Sequence, residues 1–306
     1  MIQPVAIIKP IGRFAPSPTG PLHFGSLVAA VGSYLLARQG GGQWLLRIED
    51  LDTPRVVSGA ADAMLTLLEQ LGFVWDDEVI YQSRRFERYQ QILNQLRERD
   101  LLFDCSCSRK EILASAPHPG EEGPVYPGTC RSGPVGSRSQ LAVRLRVSGP
   151  TVCFTDGVYG STEQHLLTAV GDFALKRADG LFAYQLAVVV DDIDSEVNQV
   201  VRGADLLSST PRQIYLYSCL GVTPPHYYHL PLALAADGDK ISKRHGPAAE
   251  IDSKNGPAEI WRALDFLGQQ PPQELRFSTG AELLNWGIEH FQSERIPTDS
   301  RILMTD

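Results

Sequence analysis

The sequence predicts an α/β protein built on a Rossmann-like parallel sheet. Over the first hundred residues, short apolar runs typical of buried strands alternate with segments of helical periodicity. A turn rich in proline and glycine joins the first strand to the first helix, and three carboxylates follow the second strand. This alternation of strand and helix is typical of a parallel nucleotide-binding sheet. The length of 306 residues and the 43% hydrophobic content allow a substantial core.

The first strand is predicted to lead directly into a phosphate-binding helix start. Its apolar residues are Val5, Ile7, Ile8 and Phe14. Residues 13–26 (RFAPSPTGPLHFGS) then force irregular backbone, and a helical pattern follows over residues 27–36. At this start we expect a phosphate to meet His23 and the free N–H groups of Phe24, Gly25 and Ser26. A simple helix cap is the alternative role for His23.

Further elements follow in order. A strand over residues 44–48 delivers Glu49, Asp50 and Asp52 at its carboxyl end, where an α/β sheet binds its ligands. Helical patterns cover residues 57–71 and 86–96, and a helix is expected over residues 210–220. Strands are predicted over residues 141–147, 197–201 and 228–234, with a hairpin over 152–160. Residues 173–176 are expected to lead back to the large sheet.

A Pro/Gly-rich middle region predicts a zinc site. Cys105, Cys107 and Cys130 can bind one Zn²⁺ per chain, which would order a segment with little apolar content. The fourth ligand stays open between Tyr126, His118 and water, and spacing alone favours histidine. Three ordinary cysteines in a loop are the alternative. We expect Cys153 and Cys219 to be small core residues.

Charge and composition limit the function classes. The net charge of −8 argues against indiscriminate nucleic-acid binding, so an RNA partner would need a local basic strip. The candidates for this strip are Arg84, Arg85, Arg88, Arg97 and Arg99. No membrane segment or secretory signal is evident, and the odd number of cysteines favours a reducing compartment, so we expect a cytoplasmic protein.

A second motif lies far along the chain. Residues 240–244 (KISKR) place Lys240, Lys243 and a neighbouring arginine after a polar turn, where they suit a triphosphate, although a solvated charge run is the alternative. Together with residues 13–26, this motif resembles the HIGH and KMSKS pair of class I aminoacyl-tRNA synthetases. Residues 45–55 (LLRIEDLDTPR) and 182–192 (FAYQLAVVVDD) narrow the resemblance to the glutamyl-tRNA synthetase branch.

The resemblance implies a set of site residues for glutamate, ATP and Mg²⁺. For glutamate it implies Arg13, Phe14, Ala15, Pro16, Ser17, Glu49, Tyr184 and Arg202. For ATP and catalysis it implies His23, Gly25, Ser26, Lys240 and Lys243. It also favours Tyr126 as the fourth zinc ligand. Without the resemblance, Glu49 reads as a polar loop residue, Tyr184 as core and Arg202 as a surface ion-pair partner.

The predicted organisation is a catalytic core in two halves, residues 1–100 and 171–245. A connective zinc-binding insertion over 101–170 separates them, and a short helical part follows over 246–306, with helical patterns at 257–267 and 280–291. Too few residues follow Arg244 for a full anticodon-binding domain. The chain therefore resembles the short glutamyl-queuosine-forming synthetases. This implies glutamate activation without tRNA, then transfer to queuosine in the anticodon of tRNA(Asp), by a monomer. The alternatives are glutamyl-tRNA formation with a separate anticodon-reading partner, or an inactive regulatory paralogue.

Overall fold

The computed structural model describes residues 9–116, 119–120, 123–149, 151–234 and 251–302. The predicted apolar residues Val5, Ile7 and Ile8, the candidate ligand His118 and the KISKR motif lie outside these ranges. Within them the strands are β1 (Ile11–Phe14), β2 (Gln43–Ile48), β3 (Ile80–Tyr81), β4 (Leu102–Cys105), β5 (Pro119–Gly120), β6 (Gly123–Pro124), β7 (Ala142–Leu145), β8 (Thr151–Asp156), β9 (Gly160–His165), β10 (Phe173–Lys176), β11 (Gln199–Gly203), β12 (His226–Leu230), β13 (Ala233–Leu234) and β14 (Arg301–Ile302).

The helices cover both faces of the main sheet. They are α1 (Phe24–Gln39), α2 (Ala60–Gln70), α3 (Phe86–Glu98), α4 (Arg109–Ser115), α5 (Leu166–Ala169), α6 (Tyr184–Asp194), α7 (Thr210–Leu220), α8 (Gly256–Phe266) and α9 (Gly280–His290). Helices α1, α2, α8 and α9 contribute to one hydrophobic core, and α3, α6 and α7 contribute to a second. Among the described helices, none combines the length and apolar character that a bilayer crossing needs.

The large sheet has seven strands in the order β3-β2-β1-β11-β12-β8-β9. All neighbours are parallel except the hairpin β8–β9. Strands β2 and β3 follow β1 outward in one direction and β12 follows β11 outward in the other, so the strand order reverses between β1 and β11. Open α/β sheets bind ligands at the carboxyl ends of the strands beside such a reversal. The predicted α/β fold with a parallel sheet is confirmed.

Helix α1 lies close against the sheet because its sequence permits a near approach. Most of its residues are buried, and a Cβ at Gly32 would lie 2.7 Å from Leu230 Cδ1. The α1 pattern therefore shows little amphipathicity, as expected for a helix between a sheet and further helices. Its first turn lies at the carboxyl end of β1, so the backbone dipole of α1 points its positive end toward that edge.

The insertion differs from the prediction in two respects. Strand β10 pairs with β7, and β7 with β4, in a separate three-stranded antiparallel sheet, so residues 173–176 do not return to the large sheet as predicted. Conversely, the predicted hairpin is present as β8–β9 but joins the edge of the large sheet through β12, which a boundary at residue 170 does not anticipate. Local periodicity predicts a strand but carries no signal for its partner.

Candidate active site

A cavity of about 280 Å³ opens at the carboxyl ends of β1, β2 and β11. It brings together predicted residues that lie far apart in the sequence. Those lining it are Arg13, Phe14, Ala15, Pro16, Ser17, His23, Gly25, Ser26, Glu49, Tyr184 and Arg202. The backbone N–H of Glu49 donates to the carbonyl of Pro16, which fixes the loop after β1 against the end of β2. Lys240 and Lys243 fall outside the described residues.

His23 caps helix α1. Its Nδ1 accepts from the backbone N–H of Ser26 at 3.3 Å, and its Nε2 lies 3.2 Å from Ser26 Oγ. A Cβ at Gly25 would lie 3.3 Å from the His23 ring, so the glycine accommodates this geometry. The prediction that the Ser26 N–H is free for phosphate is wrong for this conformation, because His23 already occupies it. Phe24 is buried in the core, whereas Gly25 and Ser26 line the cavity.

Arg202 is a buried guanidinium without an acidic partner among the residues the structure describes. It is 5% exposed, so the surface ion-pair alternative is wrong. Its acceptors are all neutral: His229 Nε2 at 3.0 Å, Gln213 Oε1 at 2.8 Å, Thr210 Oγ1 at 2.7 Å, Leu206 O at 3.3 Å and Tyr184 Oη at 3.4 Å. The two longest bonds, to Leu206 and Tyr184, are the weakest. A buried cation beside a cavity requires a counter-ion, and a ligand carboxylate can supply it.

His229 is held on its other side by an acid. Its Nδ1 lies 2.6 Å from Asp156 Oδ2, and both side chains are fully buried. Burial lowers the pKa of His229 below its ordinary value, although the bond to Asp156 opposes this. Burial would raise the pKa of Asp156, but hydrogen bonds from His229 and from the backbone of Tyr159 and Val158 hold it lower. Asp156 is therefore ionised and His229 neutral near pH 7.

A second buried network supports Arg13 and Glu49. Asp192 Oδ1 accepts from Arg13 Nε at 3.2 Å and from Arg47 Nη1 at 2.6 Å. Arg47 also reaches Glu49 Oε1 at 3.4 Å. Burial raises the pKa of Glu49 despite the charges of Arg47 and Arg13. Burial would lower the pKa of Arg47, but the charges of Asp192, Glu49 and Asp191 outweigh that effect and raise the pKa above its ordinary value. A ligand cation at Glu49 would compensate the negative charge of that buried carboxylate.

Asp191 ties this network to the neighbouring elements. It accepts from Gln82 Nε2 at 2.7 Å, from Arg85 Nε at 2.6 Å and from the Tyr89 hydroxyl at 2.9 Å. Burial raises its pKa, against the effect of Arg47 and Arg85. The sequence predicted no role for Arg47, Asp191, Asp192, His229 or Asp156. The available signal for Asp191 and Asp192 was their position, side by side at the end of an apolar run. Charged residues in such a run must be paired when they are buried.

Most arginines of the predicted basic strip form ion pairs with acids of the same chain. Arg85 and Arg88 pair with Asp194, and Arg97 pairs with Asp104 at 2.8 Å. Arg99 donates to the carbonyl of Cys219, and Arg84 lies over the ring of Tyr81. These arginines therefore support the fold around α3, and the strip offers an RNA partner less free charge than predicted.

One further cavity adjoins the first, and another lies beyond it. One of about 390 Å³ shares Ser17, Thr19, Glu49 and Tyr184 with it. The other, of about 680 Å³, lies beside the cysteine cluster and shares the lining residue Arg177 with the cavity of about 390 Å³. The arginines lining the largest cavity are Arg109, Arg144, Arg177 and Arg212. Its acid, Asp172, is paired with Arg131 at 2.6 Å, so the lining is positive overall.

Cys105, Cys107 and Cys130 form the predicted cluster. Their Sγ atoms lie within 4.8 Å of one another, and those of Cys107 and Cys130 are 3.5 Å apart. Thiolates bound tetrahedrally to one zinc ion lie about 3.8 Å apart, so the donor set fits the ion. The Tyr126 hydroxyl is 3.3 Å from Cys105 Sγ and 3.9 Å from Cys107 Sγ, and it accepts from the N–H of Cys130.

The thiols of this cluster differ in acidity. Burial, the Cys130 contact and the charge at Cys105 raise the pKa of Cys107 to about 11. Burial opposes ionisation of Cys130, but hydrogen bonds from Ser106 and Tyr126 lower its pKa to about 6. One thiolate is therefore favoured, and further ones need a cation. The other two cysteines lie elsewhere: Cys219 is buried as predicted, whereas Cys153 is exposed on β8 and its predicted core position is wrong.

Comparison with known proteins agrees with the fold. The catalytic-domain model of class I tRNA synthetases for glutamate and glutamine matches residues 11–286. A glutamyl-Q tRNA(Asp) synthetase of Dechloromonas aromatica is 54% identical over 295 residues, covering 96% of this chain and 97% of that one. One of Geobacter sulfurreducens is 52% identical, covering 94% of each chain. A solved glutamate-tRNA synthetase of Elizabethkingia anophelis superposes with a TM-score of 0.78 at 24% identity, covering 97% of this chain and 68% of that one.

The class I catalytic-domain model matches most of the chain, and the cavity lies where the strand order reverses. The chain is therefore the catalytic domain of a class I tRNA synthetase. Within that class the chain belongs to the family of relatives named glutamyl-Q tRNA(Asp) synthetase, which are ligases. The predicted family and enzyme class are confirmed.

Proposed function

We propose that the chain activates glutamate with ATP to glutamyl-adenylate in the absence of RNA, and then transfers glutamate to queuosine in the anticodon of tRNA(Asp). The observation that carries the first step is Arg202, a buried cation at the cavity with only neutral partners among the described residues. A γ-carboxylate would supply the counter-ion that the protein itself does not. The names of the relatives support the second step.

Glutamate would bind with its two ends on two separate networks. Its side-chain carboxylate would take the weakly held edge of Arg202, displacing the long bonds to Leu206 and Tyr184. Its ammonium group would lie against Glu49, whose pKa is raised by burial and which would gain a cationic partner. Arg13, fixed by Asp192, would orient the α-carboxylate together with residues 14–17 of the cavity wall.

In the reaction, the glutamate α-carboxylate attacks the α-phosphorus of ATP and pyrophosphate leaves. The protein needs no nucleophile of its own and acts by positioning and by stabilising negative charge. The start of α1, at Gly25 and Ser26, is suited to the phosphates, with His23 as a donor after it rotates from Ser26. Lys243 and Lys240 would bind the departing pyrophosphate, and Mg²⁺ would enter with the ATP phosphates.

The acceptor RNA would approach from the side of the insertion. The cavity of about 390 Å³ beside Glu49 and Tyr184 offers room for one nucleoside next to the activated carbonyl. The arginine-lined cavity beyond it suits the phosphates of a single-stranded loop, which the net charge of the chain would otherwise repel. We place the reaction in the cytoplasm, where ATP and tRNA occur, and propose a monomer.

The cysteine cluster would hold one Zn²⁺ through Cys105, Cys107 and Cys130, with the Tyr126 hydroxyl as fourth donor. A closed four-ligand site of this kind supplies folding energy rather than reactivity. It would order the insertion that forms one wall of the arginine-lined cavity.

Glutamate-dependent exchange of pyrophosphate into ATP, without RNA, tests the first step, and charging of purified tRNA(Asp) with and without queuosine tests the second. Exchange together with queuosine-dependent charging supports the proposal. Charging at the 3′ end of a tRNA for glutamate would favour conventional glutamyl-tRNA formation. No exchange at all would favour a regulatory paralogue.

A further inference from the structure

The tautomer of His229 follows from its two neighbours. The Arg202 guanidinium carries only donors, so His229 Nε2, 3.0 Å from Arg202 Nε, must accept. The proton of the neutral ring therefore lies on Nδ1, which donates to Asp156 Oδ2 at 2.6 Å. An imidazolium would turn an N–H toward the guanidinium, and the opposite tautomer would do the same.

Asp156 is itself fixed by the backbone. Its Oδ1 accepts from the N–H groups of Val158 and Tyr159 at 2.9 and 3.0 Å, in the turn between β8 and β9. The three side chains thus lie across adjacent strands β8, β12 and β11, and the imidazole stands between the acid and the guanidinium. No ion pair between Asp156 and Arg202 occurs in the described structure.

We propose that His229, held as its Nδ1–H tautomer by Asp156, is a positioning residue that orients Arg202 for a ligand carboxylate without neutralising it. An acid in the place of His229 would orient Arg202 equally well but would compete with the ligand for the positive charge. A neutral acceptor avoids that competition. The identity of this ligand as glutamate rests on the proposed function; the positioning itself rests on the geometry.

Protonation of His229 should therefore weaken glutamate binding. The charged or titratable groups around His229 are Asp156 on β8, Arg202 on β11, Tyr227 on β12 and, further away, Arg13 on β1. Thr210 and Gln213 of α7 are neutral. Burial lowers the pKa of His229 below its ordinary value of about 6.5. The glutamate KM should therefore rise as the pH falls through this lowered pKa of His229.

Two variants separate positioning from a structural role. His229→Phe keeps a ring but removes the acceptor, whereas His229→Gln keeps an acceptor near the position of Nε2. Because Arg202 loses the hydrogen bond that fixes its orientation, we expect the Phe variant to raise the glutamate KM about 10- to 100-fold. The ATP KM should change less than about twofold, and the Gln variant should recover most of the glutamate affinity. Substitution of a purely structural residue would not raise the glutamate KM while leaving the ATP KM unchanged.

The proposal is overturned if folded His229→Phe keeps its glutamate KM within about twofold of wild type, or if both variants lose glutamate and ATP affinity equally. Absence of pyrophosphate exchange in the wild type would instead contradict the proposed function. Nitrogen NMR of wild-type protein labelled at histidine tests the hydrogen bonding of His229 directly, and it needs neither a variant nor an activity assay. It should show His229 neutral and protonated on Nδ1 at pH 7; an Nε2–H ring or an imidazolium contradicts the proposal.

Discussion

Arg47 Nη1 lies 2.6 Å from Asp192 Oδ1 inside the core, with both side chains almost fully buried. The same oxygen accepts from Arg13, so one carboxylate on α6 fixes arginines on β1 and β2. Neither charge is solvated, so each depends on its buried partners for compensation. The network holds the wall of the cavity in place before any ligand binds, which is what rapid and specific binding requires.

Asp192→Asn should therefore be strongly destabilising. Removing this carboxylate leaves Arg13 without its acidic partner and Arg47 with the longer contacts to Glu49 and Asp191, a loss of about 3–5 kcal/mol in the free energy of unfolding at pH 7. Burial would raise the pKa of Asp192, but Arg13 and Arg47 lower it below its ordinary value. The stabilisation is thus present above about pH 4 and lost as the pH falls through the lowered pKa. Urea unfolding at several pH values measures this.

The exposed pair Arg55–Asp52, with an N–O distance of 2.7 Å, provides the control. Asp52→Asn should change the free energy of unfolding by less than about 1 kcal/mol, because solvent screens the pair. Equal losses in the two variants would contradict a special role for the Asp192 network.

His23 can be tested in both of its candidate roles at once. His23→Ala should lose about 0.5–2 kcal/mol of stability because the cap on Ser26 N–H is removed, whereas His23→Asn should retain it. If His23 also contacts phosphate, His23→Asn should lower the rate of pyrophosphate exchange at least about tenfold while its melting temperature stays near wild type. Full activity in a stable Asn variant would reduce His23 to a cap.

Zinc content tests the cysteine cluster. Protein purified without chelator should contain about one zinc per chain, and Cys105→Ser or Cys130→Ser should lower this because a thiolate ligand is lost. Elemental analysis measures it, and exposed Cys153→Ser is the matched control that should keep its metal. Wild-type protein that is folded and active without zinc would contradict the site.

The Tyr217 hydroxyl is buried and has no hydrogen-bond partner among the described residues. Burial raises the pKa of Tyr217, so the group stays protonated and neutral. Tyr217→Phe removes an unsatisfied polar group from the core and should leave the free energy of unfolding unchanged or raise it by up to about 1 kcal/mol. A loss larger than that in denaturant unfolding would show that the hydroxyl has a partner.

Much of this architecture was predictable because its signals are local. Helix α7 covers the predicted residues 210–220, α8 is displaced by one residue at each end, and α9 is one residue shorter at its end than predicted. The site residues next to strand ends also came together, since the carboxyl ends of parallel strands share one edge of the sheet.

What could not be predicted depends on pairing between distant segments. Nothing local shows that β10 leaves the large sheet or that the β8–β9 hairpin joins it. Likewise, His229 sits in an ordinary strand pattern, and only its neighbours Asp156 and Arg202, both far away in the sequence, give it a role. The exposure of Cys153 has the same origin, because the face of a strand follows its partners.

Substitution of Arg202 tests the choice of substrate. Arg202→Gln should lower kcat/KM for glutamate by an amount equivalent to roughly 2–4 kcal/mol, since the γ-carboxylate loses its charged partner. Arg202→Lys is the matched control: it keeps the charge but not the fork that bonds Gln213, Thr210 and His229 together, so its loss should be smaller but still clear. Melting temperatures are needed for both, because the same acceptors lose their donors.

The decisive comparison is the ratio of kcat/KM for glutamate and glutamine in wild type and in Arg202→Gln. Specificity is a difference in transition-state binding, so a residue that only supports the fold lowers both values together and leaves the ratio unchanged. A residue that binds the γ-carboxylate must change it. Wild type should reject aspartate, because its shorter side chain cannot reach Arg202 while the α-carboxylate is aligned on ATP. A glutamate-to-glutamine ratio that stays within about twofold, less than about 0.5 kcal/mol, would mean that Arg202 does not recognise the substrate carboxylate.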